Sequence, residues 1–343
     1  MARDRRISIV ALGLMLILFA LNIFVGSVNI PVGDVIDILT GGYSGRLSWQ
    51  HIILESRLPQ AITATFAGAA LAISGLLLQT LFGNPLAGPS ILGISDGANL
   101  GVAVVMLASG GAISSLSALG FGGYLFVVMA AFVGAIIVLS IIILFSIKVN
   151  SNTMLLIIGI MIGYLTSAVI SILNFYASTD RVHAFVLWGM GNFSGVSLSQ
   201  LPYLVVFASI GLTLSILLIK PLNALLLGEQ YAINLGVSVK RARILVLLCT
   251  GLLTATVTAF CGPISFIGLA VPHVARLMLG SSNHNLLVPN TIVIGAVVAL
   301  LCNLIIAIPG ENTILPLNAV TPMLGAPVII YVILNRKNIH YFN

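Results

Sequence analysis

Charge is what this chain has least of: among 343 residues only 6% are Asp, Glu, Lys or Arg, while 59% are hydrophobic. Soluble domains carry about 25% charged residues. A chain this poor in charge cannot cover a water-facing surface, so a free soluble protein is excluded. Nucleic acid is excluded as a partner too, despite a formal charge of +6, because no polar surface exists to carry a basic face. Cysteine is scarce as well. Cys249, Cys261 and Cys302 all fall inside apolar runs without CxxC or metal-ligand spacing, which fits small packing residues and no metal site. Catalytic motifs are missing: there is no HExxH, GxSxG, Walker A loop or paired-carboxylate arrangement. Neither a catalytic residue nor a cofactor is expected, nor nucleotide hydrolysis by the chain itself.

What the sequence does have is long apolar runs. Ten of them approach the roughly 20 residues that span a bilayer core: 7–28, 60–82, 90–109, 120–147, 153–175, 201–221, 242–262, 264–280, 288–309 and 313–334. The first is longer than the roughly 7–15 residues of a cleaved signal and is expected to stay as a membrane helix. The 90–109 and 264–280 runs are short or interrupted by glycine, and a further run, 183–191, suits a surface helix. Ten crossings with a cytoplasmic N-terminus return the C-terminus to the cytoplasm. Arg3, Arg5, Arg6, Lys148, Lys220, Lys240, Arg241, Arg243, Arg276, Arg336 and Lys337 then lie inside, and only Arg46, Arg57 and Arg181 outside. Eleven of the 14 Lys and Arg residues on one side is the bias expected of the cytoplasmic face.

One stretch, residues 57–101, organises the rest. An apolar run ends in Gly83, Asn84, Pro85, Gly88 and Pro89, and a shorter run carrying Asp96 follows. Irregular backbone at membrane depth needs protein or a water-filled cavity around it, so this corner suits the side of a conduit as well as an ordinary interfacial turn. A carboxylate within a membrane helix usually faces an interior, although Asp96 also lies close enough to the corner to be interfacial. His273 and Arg276 share a helix face, and pairing with carbonyls or snorkelling explains them better than metal ligation. Spacings such as Gly68–Ala72 and Gly159–Gly163 suit close helix packing. Residues 222–239 form a broken, half-apolar loop on the cytoplasmic side that some partner must cover. Finally, GPSILGI at 88–94 echoes GPISFIGL at 262–269, one facing each side, as inverted repeats would.

These motifs (RLPQ with GAALAISGLLLQTLFGNPLAGPSILGISDGANLG, GEQYAINLGVSVKRAR, GPISFIGLAVPHVARLMLG and LPLNAVTPMLGAPV) resemble the FecCD/BtuC-type permeases of ABC importers for iron–siderophore, haem and cobalamin. The resemblance runs from about Arg57 to the C-terminus. It implies an all-α type II importer fold of about ten transmembrane helices with inverted repeats, forming one permease domain over 1–343 in the bacterial cytoplasmic membrane. It also implies a second permease copy, two cytoplasmic ATPase subunits and an extracytoplasmic substrate-binding protein as partners in the lipid bilayer. By position, Leu225, Leu226, Gly228, Glu229, Ala232, Leu235 and Gly236 match the ATPase-coupling region. Asn152 and Thr153 match the cytoplasmic gate, and Asn84, Pro85 and Asp96 the corner and its pathway side. Arg57 matches an outer arginine that meets a glutamate of the binding protein. The pattern departs at Gln60, where relatives often have a basic residue, at Asn303, where Asp is common, at Asp96, usually small and polar, and at the displaced Glu311. The implied function is import of a ferric siderophore or similar chelate. Cobalamin or haem is the alternative cargo, and an ion-coupled carrier the alternative class.

Overall fold

The structure, a computed structural model, describes residues 2–108, 123–149, 151–307 and 315–334. Among these residues all regular elements are helices. They are α1 Ala2–Phe24, α2 Val32–Thr40, α3 Leu47–His51, α4 Leu58–Phe82, α5 Ile94–Ala103, α6 Gly123–Lys148, α7 Asn152–Tyr176 and α8 Thr179–Gly189. The chain continues with α9 Leu201–Leu217, α10 Ile219–Leu226, α11 Glu229–Asn234, α12 Val239–Cys261, α13 Ile267–Leu279, α14 His284–Ala307 and α15 Leu317–Leu334. A π-helical turn, Ile52–Arg57, joins α3 to α4, and another, Val104–Ala108, extends α5.

Each of the ten apolar runs holds a helix or a bent pair. By length and composition, however, six described helices are able to cross a membrane, or seven if α9 and α10, bent by 51°, count as one. α5, α13 and α15 are shorter. The expected 183–191 helix is present as α8, starting earlier at Thr179. The run limits at 109, 120, 309 and 313, and the residues Glu311, Arg336 and Lys337, lie outside the described residues.

The bundle is built around α4. About half of its residues are Ala, Gly, Ser or Thr, so neighbouring backbones can approach closely. A Cβ at Gly68 would lie 2.3 Å from the Gly295 carbonyl oxygen of α14, and one at Gly75 would lie 1.5 Å from that of Gly268 in α13. α1, α9 and α12 complete the enclosure. Between membrane helices, van der Waals packing of this kind replaces the hydrophobic effect as the cohesive force.

α5 and α13 carry the sequence echo. After α4 ends, residues 83–93 turn back into the bundle, and α5 starts halfway along it, where Gly97 meets Gly134 in the middle of α6. After α12 ends at the opposite side, residues 262–266 re-enter in the same way. α13 then starts beside Gly75, within the second half of α4. The two half-helices run in opposite directions, α5 towards Leu107 and Arg181, and α13 towards Gln79 and Pro85. The lead-in to α5 meets the first turn of α13, where Pro89 packs on Gly268, buried in protein as non-helical backbone at this depth must be.

The ends of the bundle differ in charge. Arg3, Arg5, Arg6, Lys148, Lys220, Lys240, Arg241, Arg243 and Arg276 gather at one end, here the basic end; Arg46, Arg57 and Arg181 lie at the other.

Candidate functional site

At the basic end, α10 and α11 form a short bent pair across the bundle. α10 turns Leu222 and Ala224 inward, and α11 buries Ala232. The remaining apolar side chains stay out: Leu225 and Leu226 are half-buried, while Leu227, Tyr231, Ile233 and Leu235 are exposed. Gly228 and Gly236 bracket α11 with φ of +100° and +81°, backbone that side chains other than glycine seldom adopt. A Cβ at either glycine would meet nothing within 4 Å, so backbone conformation alone asks for glycine there. No sequence signal singles out Tyr231, Ile233 or Leu227. Helical spacing in so short an element does not reveal which side packs down.

Glu229 opens α11 and ties it to the bundle. Its Oε1 accepts from Asn152 Nδ2 at 3.1 Å and from Arg243 Nη2 at 3.2 Å. Asn152, the first residue of α7, also donates to the Leu81 carbonyl in the last turn of α4 at 3.1 Å. Arg243 Nη1 donates to the Val149 carbonyl between α6 and α7 at 3.2 Å. Thr153, the neighbour of Asn152 in the expected gate, is exposed. The start of α7 is capped by Ser151, whose side chain accepts from the Met154 amide.

The Gly-Asn-Pro corner lies beside this cluster. Asn84 Oδ1 accepts from the Leu86 amide at 2.9 Å, closing an Asx turn, and the Pro85 carbonyl meets His273 Nε2 at 2.8 Å. Arg276 donates to Gln79 Oε1, and Gln79 Nε2 donates to the Leu269 carbonyl. His273 therefore holds the corner through a backbone carbonyl, as expected, whereas Arg276 holds the end of α4 through a side-chain amide oxygen. Nearby, His284 is fully buried between Thr80 (2.8 Å) and Asn223 of α10 (3.0 Å). No local spacing signals these partners, which are far apart in sequence.

Asp96 sits half-buried in the first turn of α5, where a carboxylate complements the helix dipole. A Cβ at Gly163 of α7 would lie 2.8 Å from its Oδ2, so Gly163 leaves the room that this carboxylate occupies. Asp96 is separate from the Glu229 cluster. Along α7, Tyr164, Ser167 and Ser171 are exposed on one face. α13 and α15 border an apolar groove of about 400 Å³ lined by Val274, Met278, Pro327 and Tyr331. Among the described residues no three His, Cys, Asp or Glu side chains converge as metal ligands.

Arg57 departs from expectation. Its side chain is buried at 6% exposure, donating to the carbonyls of Ile23, Phe24 and Val28. The last carbonyls of a helix have no partner within it, and Arg57 supplies the donors α1 lacks. In this arrangement the guanidinium is not displayed for docking; Arg46, stacked on Trp49, and Glu55, paired with His51, are the exposed charges nearby. Gln60 and Asn303, two departures from the family pattern, bond to each other at 2.9 Å, and Asn303 bonds on to Asn22. In this chain the two positions are filled by one bonded amide pair.

The FecCD transport family pattern matches residues 14–335. The vitamin B12 import system permease protein BtuC of Citrobacter koseri is 32% identical over 324 residues, covering 94% of this chain and 92% of its own. That of Salmonella paratyphi A is 33% identical over 282 residues, 82% of this chain and 83% of its own. A solved structure, described as an inward-facing conformation of a transporter taken to be of the metal-chelate ABC type, superposes with a TM-score of 0.82. It is 28% identical and covers 97% of this chain and 99% of its own.

Proposed function

The chain belongs to the FecCD transport family, and from that premise we propose that this ABC importer permease carries ferric siderophore or a similar metal chelate. The observation that carries the mechanism is the exposed apolar face of α10 and α11 at the basic end. An apolar patch rimmed by charge marks a protein contact, and a carrier driven by ion gradients has no need of one there. That face docks a cytoplasmic ATPase subunit, which performs the hydrolysis. The basic end is cytoplasmic by the positive-inside rule, with both chain termini on that side.

A second permease copy faces α7 and the groove between α13 and α15, and each copy sits on its own ATPase. Tyr164, Ser167 and Ser171 place polar atoms on an otherwise apolar helix, which suits a wall of the pathway better than contact with lipid tails. Asp96 stands beside that wall. Asn152, Thr153 and the Asn84–Pro85 corner form the inner gate, and a binding protein delivers cargo to the opposite end. A chelate is large, and a static pore of its width would leak ions. Two states of the bundle, populated according to ATPase engagement, avoid that leak. Cobalamin is the second cargo reading, favoured by the names of the relatives that are 32–33% identical.

The test is uptake by proteoliposomes holding the permease, its ATPase and its binding protein, with ferric siderophore, haem and cobalamin as competing cargoes. Gly236→Asp forces an L side chain into positive φ and a carboxylate into the docking face. A docking loss of about 1.4 kcal/mol lowers uptake about tenfold, with insertion unchanged. Uptake without any ATPase, or full uptake by Gly236→Asp, overturns the ATP-driven reading in favour of an ion-coupled carrier.

A further inference from the structure

The α10–α11 pair is fastened to the bundle at two points of different character. At Asn223 the fastening is internal: Asn223 Oδ1 accepts from the His284 amide at 2.8 Å and meets its ring Nδ1 at 3.0 Å. The same ring reaches Thr80 at 2.8 Å. His284 and Thr80 are 0% and 4% exposed, so parting them strands polar groups away from water. At Glu229 the fastening is open to solvent: the Glu229 side chain is 46% exposed, although its partner Arg243 is only 7% exposed. The bond between Glu229 and Asn152 exchanges with water at little net cost, and Arg243, when Glu229 leaves, keeps the Val149 carbonyl as a partner. Gly228, the joint between the two helices, has open space around it.

The second fastening is also the one that reaches the gate. One carboxylate oxygen of Glu229 holds Asn152 at the start of α7 and Arg243 on α12. These two in turn hold Leu81 at the end of α4 and Val149 before α7. The docking helix, both sides of the α6–α7 turn and the end of α4 are therefore linked through two donors, Asn152 and Arg243, that meet at one Glu229 oxygen.

We propose that Glu229, Asn152 and Arg243 form a latch that makes the inner gate follow the docking helix, with Asn223–His284 as the fixed pivot. Closed, as in this structure, the latch couples α11 to the start of α7. When the ATPase engages Tyr231, Ile233 and Leu235 and displaces α11, the strain falls on the half-exposed contacts and the α6–α7 turn moves. A two-state element biased from both sites is what coupling between them requires. Asn152 and Arg243 are positioning residues, acting through Glu229 and the turn without touching cargo or nucleotide.

The inference rests on the ATP-driven importer reading, and the experiment separates the two. In the reconstituted complex, ATP hydrolysed per chelate imported is measured for wild type, Asn152→Asp, Glu229→Gln and the double variant Asn152→Asp/Glu229→Gln. Asn152→Asp sets two carboxylates against each other, and Glu229→Gln weakens the hold on Arg243. The double variant exchanges amide and carboxylate and so restores the 152–229 pair, while position 152 no longer donates to the Leu81 carbonyl and position 229 holds Arg243 more weakly, so recovery is partial. The expected result is a rise of about fivefold or more in ATP per chelate for Asn152→Asp, with recovery towards wild type in the double variant. Glu229→Gln, isosteric and half-exposed, keeps the test decisive if Asn152→Asp does not assemble: it too raises the ratio. Wild-type ratios in assembled single variants, or no recovery in the double variant, overturn the latch and leave the importer reading standing. Uptake by wild type without the ATPase overturns both.

Discussion

α4 and α7 are each 25 residues long and predominantly apolar. In the continuous helix Leu47–Phe82, of which α4 is the apolar part, 83% of the most apolar stretch is buried; in α7 the share is 22%. Hydropathy does not separate them. Side-chain size does. α4 presents small residues on every face, and five helices close around it. α7 has its close-packing glycines on one side only, Gly159 against Ile91 and Leu92 and Gly163 against Asp96. Its exposed positions are mostly large residues. In a membrane, a helix becomes central by being narrow, not by being apolar.

The comparison can be broken most severely at Gly75. Gly75→Ala places a methyl group against the Gly268 backbone, which cannot swing aside, and should cost more than about 3 kcal/mol. Loss of the folded peak in detergent size-exclusion chromatography is the expected readout, and a normal peak would show that α4 and α13 can part. Next is Arg57→Ala. It removes the donors to two carbonyls at the α1 end, Ile23 and Phe24, and to that of Val28 just beyond it, for a loss of about 1–3 kcal/mol in thermal unfolding. Binding-protein affinity per folded permease should be unchanged; a selective loss of affinity would restore the docking role that burial argues against. Tyr164→Leu with Ser167→Leu, on the open face of α7, should shift stability by no more than about 0.5 kcal/mol while lowering uptake. Unchanged uptake would remove α7 from the pathway wall. Smallest is Gly163→Ala, because the Asp96 carboxylate can rotate away. Near-wild-type folding would sharpen the contrast with Gly75, where the obstacle is backbone.

Much of the architecture is legible in the sequence alone. Apolar runs mark helices because a bilayer demands internally bonded backbone. The corner and the α10–α11 pair announce themselves through glycine and proline at positions that stop helices. Asn152, Glu229 and the corner each stand out singly along the chain, and the structure gathers them at one end of the bundle. What the sequence does not reveal is whatever depends on which ends meet. Arg57 looks like a free outer charge until the α1 carbonyls are found beside it. Glu229 and Asn152 are 77 residues apart, and no local period joins them. Gln60 and Asn303 look like two separate departures until their amides are seen to bond. The two half-helices α5 and α13 are another case. A run whose first residues are irregular has the composition of a full crossing without the helix length of one.

That irregular start also bears on how the chain enters the membrane. Ile94–Ala108 is shorter than the roughly 20 residues that partition into lipid unaided. It also carries Asp96, whose burial in hydrocarbon opposes partitioning further. Alone at the lateral gate of the insertion machinery, α5 has no stable place in the bilayer. It acquires one when α6 arrives, because Gly97 and Gly101 then seat directly on Gly134 and Ala130. Biogenesis of this segment therefore has a built-in order, in which α5 is held back by its own length and drawn in by the helix that follows it.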